Sequence, residues 1–81
     1  MNDDELRQRV RHLLRRRQLP RQTQARTWGG PGLGKLCSVC GKKIDGRDQE
    51  YELQFVLRGD VVTHRFHARC HAMWELERSR P

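Results

Sequence analysis

The sequence predicts a small α+β domain that its own apolar core cannot hold together. Three observations point there. The chain has 81 residues, of which 35% are hydrophobic and 6% aromatic, so the surface it can bury offsets its conformational entropy poorly. One stretch of helical periodicity is followed by two alternating stretches and a second helical run, the order of an α+β chain. The chain holds three Cys, an odd number that suits a disulfide framework badly and leaves a metal or a partner subunit as the staple. The length also excludes the large α/β sheets on which most nucleotide-dependent enzymes are built.

The first element is an amphipathic helix within residues 1–20. Asp3, Asp4 and Glu5 offer a cap and an acidic first turn, and Leu6, Val10, Leu13 and Leu14 recur at helical spacing. Arg15, Arg16 and Arg17 place positive charge in the last turns, where the helix dipole favours it, and Pro20 is expected to end the helix. Its other faces carry Arg7, Arg9 and Arg11. The narrow Leu/Val stripe is expected to dock on the rest of the domain or on a second copy. The stripe lacks the Trp or Phe of a membrane-surface helix.

Residues 21–36 are polar and then rich in Gly and Pro, without periodicity, and are expected to form a flexible linker. Trp28 within it is expected to tuck against the neighbouring domain. Gly29 to Lys35 satisfies G-x-x-x-x-G-K, the core of a phosphate-binding loop, but Leu36 follows where Ser or Thr would hold magnesium. The segment before it is polar rather than a buried strand, so nucleotide binding is not expected.

Residues 37–81 form the third unit. Cys37-Ser38-Val39-Cys40 lets a tight turn present two thiolates to one ion, with Gly41 freeing the backbone. Tyr51, Leu53, Phe55 and Leu57 alternate on one strand, Gly59-Asp60 suggests a two-residue turn, and Val62, His64 and Phe66 alternate on the return. The return strand delivers His67, and His67-Ala68-Arg69-Cys70 puts two further ligands on one face of a helix's first turn. The run through Met73 and Trp74 continues that helix, with Trp74 expected to cover the site.

Two Cys, one His and a third Cys converging in this way match the tetrahedral preference of Zn2+, and four protein ligands leave no open position for catalysis. His64 and His71 lie near enough in sequence to compete with His67. His71 would sit about 100° around the helix from Cys70, and His64 is expected on the sheet, so an exposed or hydrogen-bonded role is expected for both. A Cys37/Cys40 redox pair would belong at the start of a helix in a βαβ unit, which is absent. A nuclease would need a second metal or base site, for which only His64 and His71 remain, and the chain is not expected to be an enzyme.

Knuckle, hairpin and ligand-bearing helix follow one another in the order of a treble-clef zinc finger. The fold expected is thus a small zinc-stabilised, treble-clef-like module preceded by a basic amphipathic helix and a Gly-rich linker. The two ligand pairs resemble one zinc half of a LIM domain, although the spacer between Cys40 and His67 is longer and no second half is present. A closer resemblance is to small bacterial zinc proteins with a Gly-x-Gly-x-x-Cys-x2-Cys start, a Glu-Tyr-Glu strand and a Phe-His-x2-Cys-x3-Trp end. Here these elements are Gly32 to Cys40, Glu50 to Glu52 and Phe66 to Trp74. That resemblance implies a fold and a metal, and no activity.

Charge divides the chain as the motifs do. The formal net charge is +7, from 17 Lys and Arg against 10 Asp and Glu, and most of the excess falls in residues 1–36. Arg7, Arg9, Arg11, Arg15, Arg16, Arg17, Arg21 and Arg26 are the candidate phosphate contacts, since the guanidinium fork and its weak hydration suit phosphate. Nucleic acid is accordingly the first expected partner, bound electrostatically. A protein partner or second copy, bound through the helix stripe and the hairpin, is the alternative. No apolar leader or membrane-length run is evident, so a reducing cytoplasm is expected.

Overall fold

The computed structural model describes residues 1–80; Pro81, the last residue of the expected third unit, lies outside them. The elements are α1 (Asp3–Arg15), β1 (Arg26–Pro31), β2 (Gln49–Leu57), β3 (Asp60–His67) and α2 (Ala68–Arg78). The strands form one antiparallel sheet in the order β1-β2-β3. Both helices lie on one side of it, with α1 packed on α2 and α2 on β2 and β3. The Cα trace is only 16 Å deep in its thinnest direction, which is one sheet and one helical layer, so the second face of the sheet is uncovered.

α1 begins one residue before the expected cap. Asn2 is the N-cap, its side chain accepting from the Glu5 amide at 2.8 Å while Glu5 reaches back to the Asn2 amide, a capping box. The helix ends earlier than Pro20 would have ended it. Arg17 takes a left-handed conformation (φ 58°), and the Gln18 amide closes on the Leu13 carbonyl at 2.9 Å. This satisfies the terminal carbonyls and turns the chain back.

The apolar stripe docks within its own chain. Leu6, Val10, Leu13 and Leu14 are buried in one cluster with Leu53, Phe55, Phe66, Met73 and Trp74. Each such side chain contributes about 1.5–3 kcal/mol on full burial, so residues 1–20 are part of the domain and no separate arm. The cluster centres on Trp74, which meets Phe55 edge-on at 5.7 Å and stacks on Phe66 at 5.7 Å. Its indole N–H donates to the Pro20 carbonyl at 2.8 Å, pinning the chain segment that leaves α1.

Two further expectations are corrected. Residues 21–36 are no free linker, because they contain β1, which pairs with β2 from Arg26↔Gln54 to Pro31↔Gln49. β1 has no alternation to betray it, since neither face of this edge strand is buried. Trp28 is not tucked away but 44% exposed on the open sheet face, with the Arg26 guanidinium 5.5 Å from its ring centre. The hairpin turn is one residue earlier than expected: Leu57 pairs with Asp60, so Arg58 and Gly59 are the turn residues, both at positive φ (53° and 85°). That is a type I′ turn, whose twist matches the strands it joins. Among the described residues no helix is long and apolar enough to cross a membrane.

Candidate metal centre

The connection from β1 to β2 builds the first half of the site. Leu36 and Lys43 form an isolated antiparallel bridge. Inside it the Cys37 amide donates to the Lys42 carbonyl at 2.9 Å and the Gly41 amide to the Cys37 carbonyl at 3.0 Å. Gly41 has φ 76°, a conformation that favours glycine and closes the knuckle. Upstream, Gly32 runs so close to the carbonyls of Ile44 and Asp45 that any Cβ would collide with them. The glycines that mimicked a phosphate loop therefore serve β1 and this close passage. Val39 and Ile44 anchor the knuckle in the core.

The second half comes from the end of β3 and the start of α2. His67 is both the last residue of β3 and the N-cap of α2, which brings Cys70 one turn later onto the same side. The ligand atoms of Cys37, Cys40, His67 and Cys70 all lie within 4.8 Å of one another, so the four side chains are close enough to hold a metal ion. Cys40 Sγ is 3.4 Å from His67 Nδ1, against about 3.6 Å for a sulfur and a nitrogen sharing one tetrahedral zinc at the usual bond lengths.

The opposite edge of the imidazole is oriented as well. His67 Nε2 lies 3.1 Å from the Lys43 carbonyl; a carbonyl only accepts, so Nε2 is the donor, and in the neutral ring this leaves the Nδ1 lone pair for a cation. A carbonyl accepting from the far ring nitrogen is what orients metal-bound histidines in general. Asp48 Oδ2, 3.8 Å from Nε2, adds negative charge on the same edge.

The thiols show why a cation belongs between them. The Cys70 thiol donates to Cys37 and, with the amides of Cys40, His67 and Val39, holds the Cys37 pKa well below the ordinary thiol range despite burial. Cys70 is driven the other way, by the proton it shares with Cys37, by burial, and by the charge of Cys37 and Cys40 beside it. A second buried thiolate is thus disfavoured until a dication neutralises the group.

The competing histidines are engaged elsewhere. His64 Nδ1 lies 2.9 Å from Ser38 Oγ, and burial lowers its pKa, favouring the neutral ring. His71 stacks on Tyr51 with ring centres 4.6 Å apart. No other group of three or more His, Cys, Asp and Glu side chains converges among the described residues. Trp74, expected to cover the site, is instead the centre of the aromatic core.

The eight candidate arginines fall into two sets. Arg7 and Arg11 bind the carboxylate of Glu77 on α2, at 3.4 and 2.7 Å, and Arg80 joins them at 3.1 Å. Arg9 donates to the Val39 carbonyl at 3.0 Å, tying α1 to the knuckle. These cations hold the fold. Arg15, Arg16, Arg17, Arg21 and Arg26 are exposed and form no ion pair among the described residues, although Arg21 donates to the Arg80 carbonyl at 3.2 Å.

Glu77 was missed as a site residue because two of its partners, Arg7 and Arg11, are far away in sequence. Its side chain is 1% exposed. Burial alone would raise its pKa, yet the hydrogen bond from Arg11 and the charges of Arg11, Arg80 and Arg7 hold it below the usual carboxylate range. No family model, no curated protein and no solved structure matches the chain.

Proposed function

We propose that the chain is a non-enzymatic nucleic-acid-binding module whose treble-clef-like fold is held by one structural Zn2+ on Cys37, Cys40, His67 and Cys70. The orientation of His67 supports the metal most directly. Its Nε2–H is committed to the Lys43 carbonyl, so Nδ1 faces three cysteine sulfurs with its lone pair free, in a set that leaves no open coordination position. Three thiolates select zinc over the hard cations that prefer oxygen.

The arginines support the second half of the reading. After Arg7, Arg9 and Arg11 are taken up by the fold, Arg15, Arg16 and Arg17 at the carboxy-terminal end of α1 and Arg21 just beyond it stay exposed, with no carboxylate paired to them among the described residues. Such a concentration is an electrostatic footprint for phosphates. Elemental analysis of the purified protein should give one zinc per chain, and Cys37→Ser or Cys70→Ser should abolish it. Affinity for nucleic acid should fall steeply with salt; an affinity indifferent to salt overturns the nucleic-acid half.

The alternative of a protein-interaction module loses its helix stripe, which is buried internally. It keeps one observation: Trp28, Val56 and Val61 are exposed at 44%, 53% and 64% on the uncovered sheet face. A defined dimer in sedimentation, abolished by Val61→Lys, would favour it.

A further inference from the structure

A groove of about 830 Å³ opens between the end of α1, the chain that follows it and the tip of the β2–β3 hairpin. Its floor is apolar, made by Leu14, Leu19, Leu57 and Val62. Its rim carries Arg15, Arg17, Arg21 and Arg58, with His64 deeper in, and no carboxylate lines it. An apolar floor under a rim of arginines and the amides of Gln18 and Gln22, with no carboxylate, is complementary to a flat organic ring that carries phosphate.

The groove does not stand alone. A neighbouring pocket of about 420 Å³ shares Leu14, Arg15 and Arg21 with it and adds Arg11 and Arg80; its one acid, Glu77, is already bound by Arg7, Arg11 and Arg80. The cations thus form a path from Arg58 and Arg17 in the groove to Arg15 and Arg21, which line both pockets. A path of that kind exceeds one phosphate and suits a polymer.

Resting on the nucleic-acid reading above, we propose that this groove binds single-stranded nucleic acid, seating an unpaired base on the Leu/Val floor while the arginine path takes the flanking phosphates. A duplex keeps its base faces stacked inside and can offer the groove only its backbone. The metal lies at the other end of α1, where Leu6 and Met1 line the space beside Cys40, His67 and Cys70, so it shapes the groove only through the fold.

Two rim arginines allow a test with little risk to folding. Arg17 and Arg58 both have positive φ (58° and 53°), a conformation that Asn tolerates better than Arg. The probe is a labelled oligothymidylate of about 12 nucleotides, within the span of small single-strand sites, followed by fluorescence anisotropy across a salt series. In the double variant Arg17→Asn/Arg58→Asn the slope of log affinity against log salt should shrink by about 1.4, and affinity at 0.1 M salt should fall about 20-fold.

A control of equal charge change outside the groove, Lys35→Gln/Arg47→Gln, should leave the slope within about 0.3 of wild type. An abasic strand of the same length should keep the slope and bind more weakly, and a duplex should bind more weakly than the single strand. Equal loss in both double variants, or duplex binding as tight as single-strand binding, overturns the groove while leaving nucleic-acid binding intact. Failure of wild type to bind any strand at low salt overturns both.

Discussion

Two clusters in this molecule gather acidic groups where its elements meet, and they balance the charge in opposite ways. At the knuckle end, three thiols and His67 converge with no cationic side chain inside the group, so a metal ion held there would supply the positive charge. At the far side of the helical layer, the Glu77 carboxylate is held by Arg7, Arg11 and Arg80, so the chain supplies its own cations. The first cluster joins the knuckle to β3 and α2; the second joins α1 to α2. A chain with so small a core adds a polar cluster to the apolar contacts at each of these junctions. One tie answers to chelators, the other to acid and salt.

Removing the metal should have the largest effect. Structural zinc in small fingers binds with about 10–16 kcal/mol of apparent free energy, more than this core can replace. A strong chelator should therefore collapse the near-UV circular dichroism of Trp74, and Cys40→Ser should do so without chelator. A chelated protein that kept this signal would show that the two ties are not unequal in the way argued.

Glu77→Gln should cost about 2–3 kcal/mol, below the 3–5 kcal/mol of a broken buried pair because the three arginines left behind reach solvent. Urea unfolding of the zinc-loaded protein measures it. The same variant tests the acid response. Glu77 has a folded pKa below its unfolded value, so its contribution is fully present above the ordinary glutamate range. It is lost as pH falls through the lower folded value. The stability difference between wild type and Glu77→Gln should thus be constant at neutral pH and narrow in acid; a difference that widens in acid contradicts the assignment.

Smaller changes probe the knuckle's attachment. Ser38→Ala removes the hydroxyl beside His64 Nδ1 and the Arg65 amide, leaving a partly buried ring nitrogen unpaired. It should cost about 1 kcal/mol with zinc content unchanged. Smallest of all, Arg58→Asn suits the type I′ turn better than Arg and should stabilise by a few tenths of a kcal/mol, about 0.5 kcal/mol at most.

The ligand set was legible because each half of it is local. Cys37/Cys40 and His67/Cys70 are close in sequence, and their spacing alone constrains the side chains to a knuckle and a helix turn. The α1 stripe and the alternation of Leu53, Phe55 and Phe66 were legible for the same reason, since periodicity records which face is buried. β1 was not, because an edge strand with two exposed faces leaves no alternation and exists only through its pairing with β2. The turn was misplaced by one residue because Arg58 gives no sign of the left-handed conformation that it adopts.

By itself the sequence determined which four side chains could hold a metal ion, the buried helix face and the excess of positive charge, all of which depend on residue type and short spacing. Only the tertiary structure decided what each arginine does. Arg7 and Arg11 became partners of Glu77, and Arg9 a donor to Val39, because folding brings α2 and the knuckle against one side of α1. Arg15 and Arg17 were left at the rim of a groove because the chain turns away there. Charge is a property of composition, whereas the availability of a charge depends on which distant groups folding places within reach of it.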